Sequence, residues 1–214
     1  SHRLVITQPP IKPQTAHSPL KGECIIDKVS EPLNAVLQIL ENKNWVDFQQ
    51  IKAKNLAELF RSLKRFTPVG LRWAGALSYD LLQWTQPIRL QNPPSEGSVL
   101  GLMWLVDTWL DEDEPHTNEV TEAVFVGGEI SSHDDLQHEQ EIEKIRKSIK
   151  SGELYQLNFG RKWNAEIIEH PSVIFNRLAT TNPAPFSAYI EARDLGIALV
   201  SSSPEILLKV EGRE

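Results

Sequence analysis

Apolar and polar positions alternate in short blocks through the first part of the chain. Leu4 to Thr7 is a β-branched run stopped by Pro9-Pro10, which predicts a strand. Residues 9–21, rich in Pro, Gln, Ser and Lys, predict a loop, and Gly22 to Asp27 a second short strand. Ser30 then suits a helix N-cap, with Glu31 and Pro32 in the first turn. Leu33, Val36, Leu37 and Leu40 follow at spacings of three and four, which predicts an amphipathic helix. A second helix is predicted over 55–66, with Leu56, Leu59, Phe60 and Leu63 inward and Pro68 as its stop. Leu71 to Asp80 reads as a strand rich in Gly and Ala, residues that permit close approach of another backbone. After a Pro-rich connection over 86–97, Leu100 to Leu110 predicts a buried strand. Asp111 to Glu114 is an acidic turn, and Val120 to Val126 is the next strand, closed by Gly127-Gly128.

The pattern then changes. Residues 131–150 are polar and charged, with an apolar stripe of Leu136, Ile142, Ile145 and Ile149. Ser132 or Asp134 can cap this helix, and Gly152 lies just past its end. Leu154 to Trp163 alternates and predicts a strand; Pro171 to Thr180 predicts a helix with Val173, Ile174 and Leu178 inward. Strands follow over 187–191, 197–201 and 206–210, joined by tight turns. Strands joined so closely pair antiparallel. The predicted class is α+β, helices covering antiparallel sheet, with a boundary near residue 130 and strands on its two sides able to share one sheet.

Composition narrows this little. The 214 residues suit one large domain or two small ones, and 40% hydrophobic with 24% charged residues is ordinary for a globular chain. A net charge of −7, with its Lys and Arg balanced by nearby acids, argues against a nucleic-acid partner. Cys24 is the single cysteine, which excludes an internal disulfide and multi-cysteine metal sites and favours a reducing compartment. No apolar run approaches the ~20 residues that span a bilayer, so no membrane partner is expected. The opening Ser1-His2-Arg3-Leu4 carries no apolar signal core and no Met, and is expected to be a processed end, a cloning scar or a cut inside a longer protein.

Common catalytic signatures do not occur. His138-Glu139 begins like a zinc-protease helix, but Ile142 stands where the second histidine belongs, so His138 is expected to be a solvated helix residue. The acidic run 111–114 is expected to be a solvated turn. Three segments stand out. Gln156 and Asn158, two apart on the predicted strand, would share a face; they either present amides to a common neighbour or satisfy an edge. Asn182-Pro183-Ala184-Pro185-Phe186-Ser187 is either a stiff preformed wall or a plain connection. Ser201-Ser202-Ser203-Pro204-Glu205 interrupts a strand pair, and Glu205 has no basic sequence neighbour before Lys209. A carboxyl in a partly apolar site is pushed toward neutrality and suits acid–base work; the alternative is an exposed Glu at a strand end.

In order and spacing these segments resemble the chorismate-utilising family, which includes anthranilate synthase component I, aminodeoxychorismate synthase component I, and isochorismate and salicylate synthases. Residues 151–158 resemble the opening of its chorismate-binding region, 182–190 its next landmark and 202–205 its third, while Gly75 to Asp80 is similar to a Gly-rich strand of the amino-terminal region. Ala184-Pro185-Phe186-Ser187-Ala188 is nearer the aminodeoxychorismate type. A Pro-Ile-Lys-Gly-Thr or Pro-Ile-Ala-Gly-Thr segment, expected soon after residue 214, does not occur, nor does the family's Leu-Leu-x-Ser first strand.

The resemblance therefore implies a partial anthranilate synthase component I-like fold. Residues 1–130 would be its amino-terminal region, and 131–214 the start of its chorismate-binding region. It implies a fragment, inactive by itself, of an enzyme that aminates chorismate to 4-amino-4-deoxychorismate on the way to para-aminobenzoate and folate. Glu205 would be the general acid/base, Pro185 and Phe186 the wall of a tryptophan pocket, and Gln156, Asn158 and Ser203 structural residues of the substrate region. Mg²⁺ would be held by glutamates beyond this chain, ammonia would come from a glutamine amidotransferase, and the location would be cytoplasmic. The alternatives are anthranilate synthase component I and a non-catalytic module that docks the amidotransferase.

Overall fold

The structure is a computed structural model that describes residues 1–9, 31–86, 90, 92–109 and 130–211. The strands expected over 22–27 and 120–126, Ser30, the acidic turn and nearly all of the 9–21 loop lie outside the described residues. The chain forms two compact units, Ser1–Asp113 and Glu114–Glu214.

The first unit is built on a five-stranded sheet with the order β3-β2-β1-β5-β4, every neighbouring pair antiparallel. Its strands are β1 His2–Thr7, β2 Leu33–Glu41, β3 Asn44–Ala53, β4 Arg72–Leu77 and β5 Val99–Val106. The predicted helix over 33–40 is therefore corrected to a strand, and β3 was not foreseen. Leu33, Ala35 and Leu37 alternate inward and are buried, whereas Leu40, which a helix would bury, is 45% exposed. The two-residue turn at Asn42 and Lys43 has positive φ at both positions, 49° and 69°, which matches the twist of a tight hairpin.

Helix α1, Leu56–Leu63, packs Leu59 and Leu63 into the same core as Leu4, Ile6, Leu33 and Leu37. Its N-cap Asn55 accepts from the Glu58 amide at 2.9 Å, and Glu58 accepts in return from the Lys54 amide at 2.7 Å. A 3₁₀ turn, Lys64–Phe66, carries the chain to Pro68. The Gly-rich strand ends at Leu77 rather than Asp80, because Ser78 caps a 3₁₀ turn, Tyr79–Trp84. Strand β5 likewise ends before the expected Leu110.

On the other sheet face Arg3 is 1% exposed. Its Nε and Nη2 both donate to Gln38 Oε1, at 2.9 and 2.7 Å, its guanidinium lies 4.5 Å from the Trp45 ring centre, and Gln38 Nε2 donates to Asp47 Oδ1 at 2.8 Å. One charge thus ties three strands together.

The second unit contains β6 Ile130–Ser131, α2 Asp135–Lys150, β7 Trp163–Asn164, α3 Pro171–Thr181, β8 Ala188–Ala192 and β9 Ile197–Ser201. β6 pairs with β7 and β8 with β9, both antiparallel. Asp134 is the N-cap of α2, in a capping box with Gln137. The α2 stripe is not sealed: Leu136 is 64% exposed, Ile149 is exposed, and Ile142 and Ile145 are half-buried. In α3, Ile174 and Leu178 are half-buried while Val173 is exposed.

Two expected strands are corrected. Residues 154–162 and 206–210 have no regular structure. Alternation states what a strand would bury, but a strand also needs a neighbouring strand for its amides and carbonyls, and these stretches join no sheet among the described residues.

Candidate functional site

Helix α3 and the β8–β9 hairpin hold the turn between them. Asn182 follows α3 as its C-cap, with its amide donating to the Leu178 carbonyl at 2.8 Å. The turn then meets the segment after β9. The Phe186 amide donates to the Ser203 carbonyl at 3.1 Å, and Ser202 Oγ donates to the Asn182 carbonyl at 2.7 Å. Ser187 Oγ closes the turn on the Ala184 carbonyl at 2.8 Å. The fold thus brings two of the three singled-out segments together, with Phe186 beside Ser203 and Asn182 beside Ser202.

Pro185, Phe186 and Glu205 are exposed and Ser203 is half-buried. Ser203 Oγ donates to the Glu205 carbonyl at 3.2 Å and so shapes the backbone at Glu205. The third segment differs from expectation. With no strand over 154–162, Gln156 and Asn158 do not share a strand face; both are exposed.

That segment is fastened at its far end. Arg161 Nε donates to Ser131 Oγ at 2.6 Å and its Nη1 to Asp135 at 2.7 Å, while its guanidinium lies 4.2 Å from the Trp163 ring centre. The Lys162 amide donates to Ser132 Oγ at 3.0 Å. His138 is half-buried rather than solvated: it stacks on Phe159 at 5.3 Å between ring centres, with its Nδ1 enclosed and unpartnered.

Sequence reasoning missed a polar network behind the turn. Glu191 accepts from Tyr189 Oη at 2.8 Å and Arg193 Nε at 2.9 Å, and lies 3.3 Å from His170 Nε2. Donation from Arg193, then from Tyr189, holds the Glu191 carboxyl below the usual range. Burial first, then its hydrogen bond to Glu191, pushes the Tyr189 phenol up. His170 is the N-cap of α3, its Nδ1 accepting from the Ser172 amide at 3.3 Å. Glu169 and Arg177 form a bidentate pair at 2.8 and 3.0 Å, which lowers Glu169 and raises Arg177. The signal was present: Tyr189, Glu191 and Arg193 are two apart, and so share one side of an extended chain.

Among the described residues no group of three or more His, Cys, Asp or Glu side chains is placed to hold a metal ion. No described helix is long and apolar enough to cross a membrane.

Comparison with known proteins gives this geometry a context. The chain is 29% identical over 118 residues to aminodeoxychorismate synthase component 1 of Bacillus subtilis, covering 55% of this chain and 25% of that protein. It is 38% identical over 71 residues to an anthranilate synthase component 1 of Haloarcula marismortui, covering 33% and 14%. It is 32% identical over 91 residues to anthranilate synthase component 1 of Thermus thermophilus, covering 41% and 19%. The matched segments therefore span a quarter or less of these relatives. No solved structure gives a significant match. The family model described as chorismate binding enzyme matches residues 27–214, well over half the chain, and on that match the chain belongs to the chorismate binding enzyme family.

Proposed function

We propose that this chain is part of a component I enzyme that aminates chorismate to 4-amino-4-deoxychorismate, the route to para-aminobenzoate and folate. The supporting observation is the Ala184-Pro185-Phe186-Ser187-Ala188 turn, pinned to the Ser203 carbonyl, together with the 118-residue similarity to an aminodeoxychorismate synthase component 1. Residues 1–130 would form the amino-terminal region and 131–214 the beginning of the chorismate-binding region of an anthranilate synthase component I-like fold. The higher identity to the Haloarcula protein, 38% over 71 residues, favours anthranilate synthase component I as the second reading.

In the first reading Glu205 is the proton donor. The C4–oxygen bond of chorismate breaks, the hydroxyl departs as water with the proton from Glu205, and ammonia forms the new C4–nitrogen bond. A carboxylic acid that stays protonated near neutral pH needs an enclosed setting. Glu205 is exposed here, so the reading requires that substrate and other parts of the complete enzyme close over it. Pro185 and Phe186 would wall a tryptophan pocket, with Gln156, Asn158 and Ser203 shaping the substrate region. The ammonia would come from a glutamine amidotransferase. Mg²⁺ would be held by glutamates of the complete enzyme beyond this chain, and no step is assigned to that ion. The single cysteine supports a cytoplasmic location.

The test is Glu205→Gln in the complete enzyme, supplied with ammonium and chorismate. Amination is expected to fall by about 10²- to 10⁴-fold while the chorismate Kd stays within about twofold. Equal loss of binding and turnover would assign Glu205 a structural role. Chromatography of the products separates the two readings, since anthranilate formation would replace the first by the second. The 214-residue chain alone is expected not to convert chorismate, and measurable turnover by it would overturn the fragment reading.

A further inference from the structure

We propose that the groove beside the end of α1 and strands β4 and β5 binds a small aromatic monocarboxylate. The groove holds about 450 Å³ and is lined by Phe60, Leu63, Lys64, Thr67, Trp73 and Met103, all within the first unit. That volume lies in the range of about 300–1,000 Å³ typical of small-ligand sites. None of these residues belongs to the segments assigned to chorismate.

The wall is preformed. Trp73 Nε1 donates to Thr67 Oγ1 at 2.7 Å, and Thr67 Oγ1 donates to the Leu63 carbonyl at 2.8 Å. These two bonds fix the indole and use the donors of both side chains. The lining then offers the Trp73 indole, the Phe60 ring, a polarisable thioether from Met103, and one ammonium. Lys64 is exposed and makes no ion pair among the described residues. A cation at a helix C-terminus is favoured by the helix dipole, so the placement of Lys64 has a structural reason of its own. The fixed indole beside it is what gives the groove a ligand chemistry. A flat ring gains from the indole, phenyl and sulfur surfaces, and a single carboxylate matches the single cation. Among the lining residues a second anionic group would find no cation.

The experiment is a ¹H–¹⁵N NMR titration of the 214-residue chain with benzoate, and with benzamide as the uncharged control. Saturable shifts are expected at the Trp73 indole N–H and at the Lys64 and Thr67 amides, with benzamide binding more weakly. Lys64→Met keeps most of the side-chain stem and is expected to raise the benzoate Kd about two- to fivefold, the size of an exposed ion pair of up to about 1 kcal/mol. Phe60→Ala is expected to weaken both probes. An absence of saturation at these signals, equal affinity for the two probes, or an unchanged Kd in a folded Lys64→Met chain would each overturn the proposal.

Discussion

At the scale of single residues, the constraints are those of backbone approach and of paired charge. Gly75 shows the first. A Cβ built there would overlap the Leu102 carbonyl oxygen and lie 2.6 Å from Met103 Cα, and neither backbone atom can swing aside as a side chain would. Gly75→Ala is expected to destabilise the chain by about 1–3 kcal/mol or more, read as a lowered urea midpoint. An unchanged midpoint would mean that β4 and β5 separate more readily than their pairing indicates. Glu169 and Glu191 show the second constraint. Both titrate below the ordinary carboxylate range, chiefly because guanidinium N–H groups donate to their charged forms. A depressed folded-state pKa contributes stability above the unfolded value, about 4.3 for Glu, and that contribution is lost as pH falls through the folded value. Acid unfolding is therefore expected to steepen below about pH 4.3, and the Glu169→Gln, Glu191→Gln double variant to flatten that limb. A full pH slope in the double variant would place the acid-sensitive groups elsewhere.

At the scale of elements, what was legible in the sequence depended on whether the signal was local. The helices carried their own stops and caps, Asn55 before α1, Asp134 before α2 and Pro171 opening α3, and all three formed close to where they were expected. Strands depended on partners that no local pattern names. Leu33, Val36, Leu37 and Leu40 satisfy helical spacing, but Leu33, Ala35 and Leu37 satisfy alternation equally well, and β1 on one side with β3 on the other decided for the strand. The reverse happened over 154–162, where good alternation met no partner. The candidate site was legible as segments, because the 182–187 turn and the 202–205 stretch carry fixed-φ prolines and short polar side chains. In the network around Glu191 the spacing of Tyr189 and Arg193 was legible, but the link to His170 was not, since it joins the N-terminus of α3 to the end of β8. The strand assignment of β2 has a direct test. Ala35→Asp places a charge at a position 2% exposed and is expected to cost several kcal/mol, whereas Leu40→Gln is expected to stay within about 1 kcal/mol. A helix would reverse that order. The cap of α2 is tested by Asp134→Ala, which removes the acceptor of the Gln137 amide at 2.7 Å and is expected to cost about 0.5–2 kcal/mol in thermal or urea melts.

Across the whole chain, burial is divided unequally, and that division predicts where it opens. The first unit holds every buried side chain described except Ala192, including Leu4, Ile6, Leu37 and Leu59 at 0% exposure. In the second unit Tyr155 is 95% exposed and Leu207 fully so, and among the described residues its two sheets have two strands each. Local opening is governed by buried apolar contact and by paired backbone. Native-state hydrogen exchange is therefore expected to be slowest at β1, which has a strand on either side, and fastest over 154–162 and 206–211. The amide of Phe186, bonded to the Ser203 carbonyl, is expected to exchange more slowly than those of its neighbours Ala184 and Glu205. The proposed site residues then fall into two kinds. Phe186 and Ser203 sit on backbone joined by a hydrogen bond, and the Glu205 carbonyl is tied to Ser203 Oγ, while Gln156 and Asn158 sit in a stretch with no regular structure. Catalytic groups act only when fixed to within a fraction of an ångström. The first set is already placed, but Gln156, Asn158 and the exposed Glu205 side chain need further packing before they can take part in chemistry. Protection over 154–162 equal to that of β1 would show that the fixing is already present in this chain.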